Sequence, residues 1–130
     1  MLMLMLAGAL QLGVAAANLP LAWMLDFGRE QRRLTPIVRQ IHHVHHVYVV
    51  GLLVVFGAVS LAFPDELTGD GLGRFLSGVL AIFWGARLAV QRLYYDREFL
   101  RHHRAGDVAF SLVFAFLCGV YAASAAGVLR

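Results

Sequence analysis

The sequence contains no lysine and a single cysteine, and only 15% of its 130 residues are charged. With Cys118 alone, the chain forms no internal disulfide and assembles no thiolate metal site. A nucleic-acid-binding protein needs a basic, solvated face, and the few charges here leave no face of that size. Nucleic acid is therefore not expected as a partner.

Several catalytic motifs are also missing. The sequence has no glycine-rich phosphate loop, no nucleophile elbow and no zinc-protease helix motif. It shows no internal repeat of the kind that builds inverted-repeat transporters. These absences remove the common enzyme and transporter classes but leave open whether the chain is an enzyme.

Apolar residues dominate what is present: 60% of the chain is hydrophobic, and the mean hydropathy is +0.71. A soluble domain of this length has too little interior to bury so much apolar surface, whereas a helix crosses a bilayer with roughly 20 apolar residues. The prediction is an all-α integral membrane four-helix bundle, a single domain over residues 1–130. Its crossings are expected at about residues 2–25, 36–63, 72–91 and 107–129.

The connections between these crossings differ in charge. The first and third are rich in arginine, and the second is acidic. The positive-inside rule places the basic connections in the cytoplasm and both termini outside. No basic segment precedes the first apolar run, so we expect this helix to be retained rather than cleaved as a signal peptide. The expected location is a bacterial inner membrane.

Histidine is the strongest lead to chemistry. The candidate metal ligands are the six histidines: His42, His43, His45, His46, His102 and His103. The orientation above places all six on the cytoplasmic side at about the same depth. Positions three and four apart share a helix face, so His42, His45 and His46 form one cluster. Neutral imidazole is a ligand for iron, zinc and copper, and the leading hypothesis is an iron or zinc site. A membrane oxidoreductase is one function that such a site would serve.

The spacing His42-x-x-His45-His46 resembles one histidine box of the membrane desaturases and hydroxylases. The resemblance covers only these few residues. That class carries several boxes along a longer chain, whereas this chain has one box and the pair His102-His103. The di-iron arrangement of that class is therefore not expected, and the family is not assigned.

Three other interpretations of the histidines stay open. A b-type haem needs only two facing histidines in a helical crevice, and His46 and His103 are the candidates. Histidines at the membrane interface are also common as solvated or lipid-contacting side chains. Proton handling is the third alternative.

Polar side chains inside the crossings are the second candidate site, a polar pocket formed by Asn18, Arg87, Gln91 and Asp107. Ionisable residues within a membrane are usually paired and face the bundle interior, and we expect Arg87 to pair with Asp107. Such a pocket would accept a lipid head group or a small anion. The structural alternative is that Arg87 extends to the interface and that Asp107 caps its helix.

Small residues recur every four positions in three crossings, and such faces allow close contact between helices. They are Ala9, Gly13 and Ala17; Ser77, Ala81, Gly85 and Ala89; and Ser111, Ala115, Gly119, Ala123 and Gly127. The alternative function is therefore a non-catalytic accessory or assembly subunit that contacts another membrane protein. Its partners would be that protein and the lipid bilayer.

Overall fold

The computed structural model describes residues 1–24, 29 and 32–129, and every regular element in this part is a helix. The helices are α1 (Leu2–Met24), α2 (Pro36–Ala62), α3 (Pro64–Thr68), α4 (Leu72–Leu93), α5 (Arg97–His102) and α6 (Arg104–Ala125). Four of them, α1, α2, α4 and α6, are long and apolar enough to cross a membrane. The chain is an all-helical integral membrane protein, as its composition predicts.

The last long helix differs most from its predicted bounds, beginning three residues earlier and ending at Ala125. Its end has a local cause. Gly127 adopts a left-handed conformation with φ of 77°, and the N–H of Val128 donates to the carbonyl of Ala123 over 2.9 Å. This hydrogen bond closes the helix with a Schellman motif, for which glycine is the favoured residue.

Two short helices, α3 and α5, replace connections that were predicted without regular structure. Proline at the first position of α3 lacks only an N–H that would be unpaired there anyway. At α5, the carboxylate of Asp96 accepts the N–H of Glu98 over 2.9 Å and caps the first turn. A proline at the first helical position of α3 and a side-chain cap at α5 are therefore the local features that favour these short helices.

The chain divides into two compact units, residues 8–62 and residues 1–7 with 63–130. In the unit of residues 8–62, α1 meets α2 through glycine. A Cβ atom at Gly8 would lie 2.9 Å from the carbonyl oxygen of Gly57, so only the absence of a side chain lets the backbones come this close. The predicted stripe on α1 is not the contact, because Ala9 and Gly13 are exposed. That the chain is one domain stays a prediction.

In the other unit, α4 runs antiparallel to α6. Three contacts join them along their length, at Ser77 with Ser124, Trp84 with Phe114, and Gln91 with Asp107. The α4 members are seven residues apart, which is about two turns, so one face of α4 makes all three contacts. This face positions Gln91 beside Asp107, two of the residues predicted to form a polar pocket.

The turn from α3 into α4 depends on close backbone packing. The hydroxyls of Ser77 and Ser124 each donate to the carbonyl oxygen of Leu67 over 2.9 Å. A Cβ atom at Gly73 would collide with the carbonyl oxygen of Glu66. Glycine is therefore required at position 73 for α3 to lie against the start of α4.

Candidate histidine and polar sites

The first histidine group lies in the second and third turns of α2, where His42, His43 and His45 are exposed and His46 is partly buried. The Nδ1 atom of His45 lies 3.0 Å from the carbonyl oxygen of Ile41. Because a carbonyl oxygen only accepts, Nδ1 carries the proton in this hydrogen bond. The neutral ring then has its lone pair on Nε2, the atom available to a ligand.

The second histidine group shows the same arrangement. The Nδ1 atom of His102 donates to the carbonyl of Glu98 over 2.9 Å, and that of His103 to the carbonyl of Phe99 over 3.1 Å. The His103 ring also stacks on Phe99, with centroids 4.4 Å apart. Both histidines are exposed, and both have Nε2 free as an acceptor or metal ligand when neutral.

The predicted metal site is not assembled in the part of the chain that the structure describes. There, no three His, Cys, Asp or Glu side chains are positioned to hold a metal ion. The four histidines of α2 belong to the unit of residues 8–62, and His102 and His103 to the other unit. A haem between His46 and His103 would likewise need one ligand from each unit, and it stays a prediction.

Two residues of the predicted polar pocket, Gln91 and Asp107, are hydrogen-bonded to each other. Nε2 of Gln91 donates to Oδ1 of Asp107 over 2.9 Å, and the Ser111 hydroxyl lies 3.5 Å from the same oxygen. Asn18 belongs to the unit of residues 8–62, where its side chain donates to the carbonyl of Val14 over 2.8 Å. The structure therefore brings Gln91 and Asp107 together, and places Asn18 on a different unit.

The predicted ion pair between Arg87 and Asp107 is not formed. The ionic partner of Asp107 is Arg92, whose Nη1 lies 3.5 Å from Oδ2. The reason is the position along α4 at which α6 places its carboxylate. Asp107 lies opposite Gln91. Gln91 is adjacent to Arg92 in sequence and lies one helical turn beyond Arg87. The pair is partly exposed at Arg92, so its contribution to stability is small.

Arg87 is instead surrounded by aromatic rings. Its Cζ atom lies 5.0 Å from the centroid of the Phe114 ring and 5.3 Å from that of Tyr95, within the range of cation–π attraction. The Phe114 ring also stacks on Trp84, with centroids 5.5 Å apart. Among the described residues, Nη1 of Arg87 and Nε1 of Trp84 are buried without a hydrogen-bond partner.

Sequence reasoning missed the aromatic neighbours of Arg87 and the ionic role of Arg92. One signal was available: Trp84 is three residues before Arg87, on the same face of α4.

Comparison of the chain with protein families, with curated proteins and with solved structures finds no match. Function is therefore inferred from the chemistry of the side chains.

Two small-residue faces stay open in the described structure. Ala115 and Gly119 on α6 are exposed, and a Cβ atom at Gly119 would meet nothing within 4 Å. Gly13 on α1 is equally open. The stripe on α4 differs, because a Cβ atom at Gly85 would lie 3.3 Å from Sγ of Cys118 on α6. The stripe on α4 is therefore used in packing α4 against α6.

Proposed function

We propose that the chain is a small integral membrane protein that binds a transition metal ion, iron or zinc, through histidine Nε2 atoms. The observation that supports this best is the hydrogen bond from Nδ1 of His45 to the carbonyl of Ile41. Histidines that bind metals commonly donate their other ring N–H to such an oxygen, which orients the ring and makes the ligating nitrogen more basic.

The proposed ligands share a face of α2. His42, His45 and His46 are three or four residues apart, so a single ion can be reached from more than one ring. The histidines here are exposed or partly buried, and exposed side chains change rotamer readily, which allows the rings to converge on an ion. One helix face leaves coordination positions open to water or substrate, as catalytic metal sites require. With iron bound, the protein would be a membrane oxidoreductase.

The proposed site lies at the cytoplasmic interface of a bacterial inner membrane, with both chain termini outside. The support is the charge of the connections. The arginines follow the first apolar run and precede the last, whereas the turn around Asp65 and Glu66 is acidic. Arginine-rich connections stay in the cytoplasm. The same rule puts the connection that carries His102 and His103 in the cytoplasm.

The test is the metal content of protein purified in mild detergent without chelators or a nickel column. We expect near-stoichiometric iron, zinc or copper in the wild type and a fall of about tenfold or more in His42→Ala/His46→Ala, because two ligands are lost. Gln40→Ala is the matched control, an exposed residue of the same helix that is no candidate ligand, and it should retain most of the metal. Equal metal in the double variant and wild type, or no metal in either, contradicts the proposal.

A b-type haem would show itself in the same preparation by a Soret band. Single substitutions His46→Ala and His103→Ala should then each abolish the band, because a six-coordinate haem needs both axial ligands. His43→Ala should leave it unchanged. A metal signal without a Soret band keeps the non-haem site, and a band that survives both substitutions excludes this histidine pair as the haem ligands.

An accessory or assembly subunit is the second candidate, and the open face at Ala115 and Gly119 favours it. We expect Gly119→Leu to reduce the size of the native complex extracted in mild detergent, because a bulky side chain blocks close helix contact. Gly51→Leu is the matched control: position 51 is equally open but belongs to no small-residue stripe. A complex that is unchanged by Gly119→Leu argues against this role for the face.

A further inference from the structure

Arg87 is a cation within a membrane-crossing helix. Asp107, the carboxylate predicted to pair with it, is bound by two other side chains instead. Oδ1 of Asp107 is bound by Gln91 and Oδ2 by Arg92. Arg87 itself contacts the rings of Phe114 and Tyr95. Ionisable side chains inside a crossing are usually paired, so an arginine whose contacts in the described part of the chain are with aromatic rings indicates a binding role.

Two side chains with buried hydrogen-bond donors, Arg87 and Trp84, contact the ring of Phe114. Nη1 of Arg87 and Nε1 of Trp84 are both buried and lack a hydrogen-bond partner in the described part of the chain. On α4 the two residues are three apart, on one face. A buried donor without an acceptor is unfavourable in an apolar setting, so each of these two donors favours a ligand that supplies one.

The chemistry of the missing acceptor is anionic. A guanidinium group matches the geometry of phosphate oxygens and binds them through two parallel N–H donors. The Trp84 indole supplies a further donor and no acceptor. The carboxylate of Asp107, on the facing helix, is paired with Arg92. It therefore repels an incoming anion less than an unpaired carboxylate would. A phosphate group bound at Arg87 would supply the acceptor that Nη1 lacks in the described part of the chain.

The position of the guanidinium agrees with this chemistry. Arg87 lies six residues before the end of α4, about 9 Å along the axis. Its guanidinium nevertheless reaches the ring of Tyr95, beyond the end of that helix. The side chain therefore extends towards the interface, where lipid phosphates lie.

We propose that Arg87 and Trp84 form a binding site for a phosphate group on the face shared by α4 and α6. The phosphate comes either from an anionic phospholipid or from a soluble phosphate compound. The site uses none of the histidines, so it is independent of the metal site proposed above. Tyr95 and Phe114 hold the guanidinium in place and exclude water from it.

The test is native mass spectrometry of the purified protein with phosphatidylglycerol, compared with phosphatidylcholine. We expect Arg87→Gln to lower phosphatidylglycerol binding by about tenfold, which corresponds to about 1.4 kcal/mol. Arg74→Gln is the matched control, an arginine at the other end of α4 that pairs with Asp70 over 2.9 Å. Equal phosphatidylglycerol binding by Arg87→Gln and Arg74→Gln overturns the proposal.

Competition with inorganic phosphate identifies the source of the group. Displacement of phosphatidylglycerol from wild type by millimolar phosphate supports a soluble ligand. Retention of the lipid supports a head group. Binding of neither compound by wild type overturns the site. Arg87→Lys, which keeps the charge but lacks the planar fork, should bind more weakly than wild type and replaces Arg87→Gln should the latter not fold.

Trp84 gives an independent readout. In a Trp23→Phe background it is the only tryptophan, and its emission should change as phosphatidylglycerol or inorganic phosphate is titrated. The change should require a higher ligand concentration on adding Arg87→Lys and be unaffected by adding Arg74→Gln. Emission that responds to neither compound overturns the role of the indole.

Discussion

Phe114→Ala is expected to lower the free energy of unfolding by about 3 kcal/mol. Phe114 is buried, stacks on Trp84 and contacts Arg87, so its removal leaves a cavity and an arginine without its ring. Phe→Ala substitutions in protein cores give about 3–5 kcal/mol. The lower value is expected here, because lipid-exposed apolar surface is not penalised as it is in water.

Equilibrium unfolding in mixed micelles of mild and denaturing detergent measures this effect. Leu112→Ala is the control on the same helix: its side chain is 66% exposed, and its truncation should change stability by less than about 0.5 kcal/mol. Phe114→Leu should lie between the two, because it keeps volume but loses the aromatic contacts. A Phe114→Ala variant as stable as Leu112→Ala would contradict the packing of α4 on α6.

Gly73→Ala is expected to destabilise the protein by about 1–3 kcal/mol or more. The new Cβ atom would collide with the carbonyl oxygen of Glu66, and it would lie 3.3 Å from Cα of Leu67. Both obstacles are backbone atoms, so no change of rotamer relieves the overlap. The start of α4 must then move away from α3, which weakens the hydrogen bonds to the carbonyl of Leu67.

The control for this prediction is Gly106→Ala, at a helical position where a Cβ atom meets nothing within 4 Å. Alanine in a helix interior is more favourable than glycine by up to about 1 kcal/mol. The two Gly→Ala substitutions should therefore change the thermal unfolding temperature in opposite directions. A stabilised Gly73→Ala variant would show that α3 and α4 do not pack as described.

The long helices were predictable from the sequence, because each is an apolar run of bilayer length bounded by charged residues or proline. The short helices were not. At α5, the carboxylate of Asp96 lies among several charged residues and reads as part of a loop, and its capping of the Glu98 N–H becomes visible only in the structure. At α3, proline and two acidic residues fit a turn equally well.

The polar pocket shows where sequence reasoning stops. Helical spacing predicts which residues share a face, and the structure brings Gln91 and Asp107 into contact. Spacing does not predict the level at which two helices meet. The structure aligns Asp107 with Gln91, one turn from Arg87, which leaves Arg87 beside Phe114 rather than beside a carboxylate. The coordination by the histidines is open for the same reason, since spacing within α2 says nothing about ligands from other helices.

The carbonyl oxygen of Leu67, which accepts hydroxyls from both Ser77 and Ser124, has a consequence for biosynthesis. Ser77 leaves the ribosome soon after Leu67, whereas Ser124 follows 47 residues after Ser77. The nascent α3–α4 hairpin therefore satisfies this oxygen once, and the docking of α6 satisfies it a second time. An isotope-labelled Leu67 carbonyl should therefore show an infrared band that shifts when α6 docks against α3 and α4. The shift would report the stage at which this step of membrane assembly occurs.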